Sequence, residues 1–330
     1  MTTRAIRGHT AALELLERAV ASNRVAHAYA FVGPSGIGKK LTALALARTL
    51  LCSSQSSLAR VGGCGGCSAC RRVEAGTHPD CRLVAPDGQT IKIEQIRELE
   101  RLAALKPLEG PLKIFIVDEA ERMPPVTANA LLKTLEEPPD RTVLILILSQ
   151  ARALPPTVVS RCQVVRFAPL AEAQAVAVLR ERGVDEATAR FLARACQGRV
   201  GLALARDPAA WRERRDGIVA LLNKVSAEGG EALFNFVEGL GRDRAQAADL
   251  IEAVWLWHRD LLCAKAGGDP RLLISGDRQA ELGRLAGATS WEAILVALVA
   301  CREAWQALQG NVSPRLTLEV LLSRLALKAA

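Results

Sequence analysis

The sequence predicts an α/β domain built on a parallel sheet with helices on both faces, followed by a small helical domain and an all-α C-terminal domain. Three observations predict it. Through the first half of the chain, segments with helical apolar spacing alternate with short apolar runs; a glycine-rich loop joins one such run to an Ala/Leu-rich segment; and after Pro169 the strand signal disappears. Alternating strand and helix segments imply parallel pairing, because each helix carries the chain back over a sheet face to begin the next strand.

In chain order, residues 11–22 have apolar positions at helical spacing, and residues 29–32 form a short apolar run that stops at a glycine. Residues 41–51 are rich in Ala and Leu and predict a helix. Residues 90–93 predict a strand and 94–105 an amphipathic helix. The segments 113–117 and 142–148 predict buried strands, with a helix over 126–135 between them. Beyond Pro169, residues 171–182 and 185–196 predict two short helices, separated by Gly183 and stopped by Gly198. From Pro208 the pattern is helical, with breaks near Gly229–Gly230, Gly267–Pro270 and Gly310–Pro314. The expected boundaries are therefore 1–168 for the α/β domain, 169–207 for the small helical domain and 208–330 for the last one.

Composition removes several classes of function. Half of the 330 residues are apolar and 24% are charged, which excludes a disordered or low-complexity chain. No apolar run reaches the roughly 18 residues of a membrane helix, and the start of the chain lacks the apolar stretch of a secretory signal. A cytoplasmic location without membrane contact is the expectation. The net charge of +8 suits nucleic acid or an acidic partner without choosing between them. Twelve aromatic residues are too few for a dedicated single-strand binder that stacks bases.

The loop Gly33-Pro34-Ser35-Gly36-Ile37-Gly38-Lys39 matches G-x-x-x-x-G-K. Gly33, Gly36 and Gly38 let backbone N–H groups converge on phosphate oxygens, Lys39 adds a positive charge, and the helix that follows adds its dipole. A glycine-rich turn is the plain alternative, disfavoured by the strand–loop–helix context. The next position should be Ser or Thr, whose hydroxyl holds Mg²⁺, but it is Lys40. An ammonium group repels a metal ion, and Thr42 points to a nearly opposite helix face. The loop suits phosphate, whereas ATP with Mg²⁺ lacks the ligand it needs for hydrolysis. Asp118 and Glu119 end an apolar run; in a hydrolytic site they would orient Mg²⁺ and polarise the attacking water, and otherwise they are a solvated strand end. Acidic groups without the hydroxyl suggest a nucleotide-binding fold put to structural use.

Cys52, Cys64, Cys67 and Cys70 form C-x₁₁-C-x₂-C-x₂-C, with glycines at 62, 63, 65 and 66. Two-residue spacings turn neighbouring thiolates onto one ion, and four thiolates with no open position describe a structural Zn²⁺ site. A redox pair or an iron–sulfur cluster would use some of the same residues, and His78 and Cys81 lie near enough in sequence to compete as ligands. Cys162, Cys196, Cys263 and Cys301 lie in apolar surroundings and are expected to be buried thiols.

At this point the residues resemble the clamp-loader subunits of the AAA+ superfamily, most closely the delta-prime family of bacterial DNA polymerase III. Four stretches carry the resemblance: residues 26–31 leading into the phosphate loop, the four cysteines after its helix, residues 129–139 (NALLKTLEEPP), and Ser160-Arg161-Cys162. They lie within about the first half of the chain, and the later helical regions fit the family's lid and collar domains. The resemblance implies that Arg161 is an arginine finger, projecting toward the γ-phosphate held by a neighbouring subunit. It also implies a hetero-pentamer with tau/gamma-type ATPase subunits and a delta-type subunit, acting on a sliding clamp and primer-template DNA.

Departures from the family point to a non-motor member. Lys40 replaces the magnesium hydroxyl, Gly201 stands where a motor subunit carries its lid sensor arginine, Arg199 is out of register, and Ser149 is a weak match to the first sensor. Asp118 and Glu119 would then be remnants of an acidic catalytic strand end. The alternative is an active clamp-loader ATPase working through Lys39, Asp118 and Glu119. Polymerase chemistry is not implied for this chain, even as a component of the holoenzyme.

Overall fold

A computed structural model describes residues 6–54, 60–228, 243–310 and 312–326, in two compact units, Met1–Ala205 and Arg206–Ala330. The expected break at Gly229–Gly230 lies outside the described residues.

In the first unit, five parallel strands stand in the order β2-β3-β4-β1-β5: β1 (Ala28–Val32), β2 (Cys81–Val84), β3 (Lys113–Val117), β4 (Thr142–Leu148) and β5 (Gln163–Arg166). The three central strands are buried along their whole length, as strands covered on both faces must be. Successive residues of β4 feed opposite layers: Leu144, Leu146 and Leu148 pack with Ala30, Ile96 and Leu131, while Val143, Ile145 and Ile147 pack with Leu16, Phe31 and Leu46. Pairing of Ala28 with Leu144 and of Lys113 with Thr142 fixes the central register. The helices of this unit are α1 (Thr10–Ala21), α2 (Lys39–Leu51), α3 (Ser68–Glu74), α4 (Ile93–Ala103), α5 (Pro125–Glu136), α6 (Pro156–Val159), α7 (Glu172–Glu181), α8 (Glu186–Ala195) and α9 (Val200–Ala205).

One expected strand is corrected. Residues 90–93 are not a strand but the turn into α4, tied by an isolated Asp87–Thr90 bridge, with the Gln95 side chain accepting from the Lys92 N–H as a cap. The strand on that side is β2, in which Cys81 and Arg82 precede the apolar pair Leu83-Val84. As an edge strand with two exposed positions it lacks an unbroken apolar run. The same reason hid β5 on the opposite edge.

The second unit is helical at Pro208–Glu228, Arg244–Lys265, Gln279–Ala288, Trp291–Gln309 and Pro314–Ala326. Its apolar core includes Leu250, Val254, Cys301 and Leu318, and Trp257 packs with Leu282 and Ile294. Asp260, fully buried, accepts hydrogen bonds from the N–H groups of Ile274 and Ser275, so it ties the loop after Gly267 to the long helix. Cys162, Cys196 and Cys301 are buried as expected, whereas Cys263 is half-buried in the last turn of its helix, beside Gly268. No single described helix is long and apolar enough to cross a membrane.

Three histidines, His9, His78 and His258, are held low by burial and so link stability to pH. Burial holds His9 and His258 below the ordinary imidazole value of 6.5, against the hydrogen bonds to the Ile37 and Val254 carbonyls, which act the other way. The unfolded chain therefore binds more protons as pH falls through 6.5, and stability present above that value is lost below it. The urea midpoint is expected to be lower at about pH 5.5 than at about pH 7.5. The difference should shrink in a His9→Gln, His258→Gln variant; an equal slope in that variant assigns the effect to other groups.

Candidate functional site

A cleft of about 450 Å³ opens where the phosphate loop, the end of β3 and the start of α9 meet. Its floor is set by backbone that only glycine allows. Gly36 and Gly38 have φ of +78° and +103°, and a Cβ on Gly33 would stand 2.3 Å from the Phe167 carbonyl. The loop leaves β1 through the hydrogen bond from Gly33 N–H to the Leu148 carbonyl and enters α2 at Lys39.

The charged groups in the cleft are arranged differently from those of a nucleotide-hydrolysing site. Lys39 is 6% exposed, and its ammonium donates to the carbonyls of Gly33 and Pro34, at 2.7 Å for the latter. Burial lowers its pKa, while Glu121 and Asp118 oppose that shift. Lys40 Nζ lies 3.1 Å from Asp118 Oδ2, so the carboxylate expected to orient a metal ion already holds a cation belonging to the chain. Thr42 Oγ1 donates back to the Gly38 carbonyl at 3.1 Å, so its hydroxyl serves the helix. Glu119 sits in left-handed backbone (φ +48°) and pairs with Arg122 at 2.6 Å.

From the far side, α9 closes on the loop. Gly201 N–H donates to the Gly36 carbonyl at 2.7 Å, and a Cβ on Gly201 would lie 2.7 Å from that same oxygen. Any side chain there, arginine included, would have to push α9 off the loop. Glu121 was not singled out from sequence, yet it lines the cleft and accepts from Ser149 N–H at 3.1 Å. Its position inside the 3₁₀ turn Ala120–Arg122 carries no motif that could have flagged it.

Arg161 is not part of this cleft. It follows α6, where Ser160 Oγ donates to the Thr157 carbonyl at 3.2 Å and Cys162 Sγ reaches the Val158 carbonyl at 3.4 Å. Ser160 and Cys162 thus finish the turn while Arg161 points outward. Its Nη1 donates to the Thr157 carbonyl at 2.8 Å and its Nη2 pairs with Glu136 Oε1 at 2.6 Å.

The four cysteines of the expected metal site do come together. Among the described residues, the sulfurs of Cys52, Cys64, Cys67 and Cys70 lie within 4.8 Å of one another, with Cys52 and Cys67 at 3.9 Å. Sulfurs around a tetrahedral ion at about 2.3 Å would stand about 3.8 Å apart, so the set fits one metal ion. Backbone N–H groups of Ser54, Cys67 and Cys70 point at the sulfurs of Cys52, Cys64 and Cys67, each at 3.4 Å. Burial raises the Cys67 thiol, but hydrogen bonds from Cys70 and Ser53 outweigh it and bring the thiol down to about 5. Burial pushes Cys70 up to about 12, helped by the neighbouring sulfurs of Cys67 and Cys52. Without a cation the cluster cannot ionise fully; a bound metal removes that conflict. Gly63 is obligatory, because a Cβ would meet Cys70 Sγ at 2.8 Å. His78 is turned away, accepting from the Asp80 N–H at 3.1 Å, and Cys81 is buried in β2.

Residues 8–171 match the family described as DNA polymerase III, delta subunit. The delta' subunit of DNA polymerase III from Bacillus subtilis is 30% identical over 318 residues, covering 94% of each chain. The chain belongs to the delta-prime family of DNA polymerase III subunits. Within that family, the Pseudomonas aeruginosa delta' subunit is 42% identical over 139 residues, 42% of each chain. The likeness extends to the tau subunit of Escherichia coli, 34% identical over 155 residues, which are 47% of this chain and 24% of that one. The sequence resemblance to delta-prime is thus supported over nearly the full length.

Proposed function

We propose that the protein is the non-motor subunit of a cytoplasmic clamp-loader complex, which places a sliding clamp on primer-template DNA during replication. The observation that carries this reading is the ion pair between Lys40 and Asp118. In an ATPase of this fold Mg²⁺ bridges the β- and γ-phosphates and is held by a loop hydroxyl and the strand-end Asp. Here the hydroxyl is replaced by an ammonium group that neutralises the Asp. With Glu119 paired to Arg122 and Gly201 set against the loop, the residues that would activate water or sense the γ-phosphate have other roles. The phosphate loop then serves to join β1, α2 and α9 rather than to turn over ATP.

The useful charge is Arg161, offered to a neighbour. A guanidinium beside a γ-phosphate held by an adjacent tau/gamma-type subunit would neutralise charge that builds on the transferred phosphoryl group. The partners in this reading are those ATPase subunits and a delta-type subunit in a hetero-pentamer, with the helical second unit serving as the collar and residues 169–207 as the lid. Zn²⁺ is the metal best suited to the four thiolates and holds the segment after α2 in shape.

The conservative Glu119→Gln change separates the two uses of the fold. In the reconstituted complex, ATP turnover stimulated by clamp and DNA is expected to stay at the wild-type level, because Glu119 activates no water. A fall of about a hundredfold or more at any one site would make Glu119 a catalytic base and this chain a motor.

A further inference from the structure

We propose that Glu136 is the positioning residue for Arg161, holding one edge of its guanidinium so that the other is presented to the neighbour's phosphate. The proposal rests on the reading of Arg161 as an arginine supplied in trans.

An arginine side chain has five N–H donors in a rigid plane. The Thr157 carbonyl takes one from Nη1 and Glu136 takes one from Nη2. The other three, on Nε and one each on Nη1 and Nη2, have no partner among the described residues and remain for phosphate oxygens. Both acceptors stand on anchored elements. Glu136 ends α5, whose Leu131 and Leu135 are in the core, and Thr157 lies beside the fully buried Val158 of α6. Two helices that share one core therefore fix the arginine fork from behind. A flexible side chain held this way loses less freedom when the phosphate arrives, and its reacting geometry is set in advance. The Glu136 side chain is 50% exposed and that of Arg161 36%, so the pair is weak enough for the fork to shift toward a highly charged ligand. Glu137 is an internal control: it carries the same charge one residue on, and no ion pair joins it to Arg161.

The test uses the reconstituted complex with one motor subunit at a time left competent. At the site that depends on Arg161, Glu136→Gln is expected to lower kcat roughly two- to fivefold, the range an exposed ion pair can supply. KM for ATP should stay unchanged and so should the melting temperature of the isolated chain. Glu137→Gln should have no effect. In an Arg161→Ala background, Glu136→Gln should change nothing further, because the group it positions is gone. Unchanged kcat for Glu136→Gln, an equal loss for Glu137→Gln, or an independent loss in the Arg161→Ala background would each overturn the proposal. If Arg161→Ala itself leaves every site unaffected, the trans-arginine reading fails and takes the positioning role with it.

Discussion

Arg161→Ala is expected to lower ATP hydrolysis at the adjoining motor site by about 10³- to 10⁵-fold, while leaving this chain folded and the complex assembled. The size of the effect comes from where the charge acts. As the γ-phosphoryl group separates, negative charge spreads over its oxygens, and a guanidinium there stabilises the transition state more than the bound nucleotide. The local fold should tolerate the change, because Arg161 points outward and its neighbours Ser160 and Cys162 complete the turn without it. Arg161→Lys should recover little, since an ammonium cannot present two parallel N–H donors. The decisive measurement is turnover with each motor subunit in turn left as the one competent site. Full activity at all of them would remove the arginine from the reaction.

The second large effect concerns the cysteines. Metal analysis of the purified chain should find about one zinc, and Cys64→Ser with Cys67→Ser should find none. Structural zinc bound to small domains contributes about 10–16 kcal/mol of folding free energy; here the sheet has its own core, so the loss should concentrate on the segment carrying the ligands. Cys70 is buried against the Arg48 carbonyl and Gly63 packs on its sulfur, so release of the metal should expose the C-terminal end of α2 and the start of α3 to proteolysis. Iron with visible absorbance in place of zinc would assign the cluster to electron-transfer chemistry. Zinc retained by the double variant would show that other residues hold it.

Much of this was legible in the sequence because the signals are local. After Lys113 and Thr142, the buried strands β3 and β4 are unbroken apolar runs, and the three C-terminal cysteines of the metal cluster are spaced by their own turn. The edge strands β2 and β5 were not legible, since half of their residues face water and their pairing partners lie far along the chain. The same limit applied in the cleft. Lys40 was readable as the wrong residue after the loop lysine, but its partner Asp118 depends on the β1–β4–β3 arrangement. Glu136 sits inside a stretch that drew notice for its likeness to a family, yet its pairing with Arg161 follows only from the packing of α5 and α6.

The Lys40–Asp118 pair also changes what the cleft responds to. A magnesium ion is exchangeable: it arrives with nucleotide, leaves with product, and can be stripped by a chelator. An ammonium tethered to the backbone a few ångströms from its carboxylate has a high effective concentration and never dissociates into the medium. The counter-charge facing Asp118 is thereby present whether or not a divalent ion or ATP is bound. In the proposed ring, whose other members would shift with each nucleotide they bind, this subunit would carry a counter-charge that no ligand need supply, a steadier surface against which the rest can move.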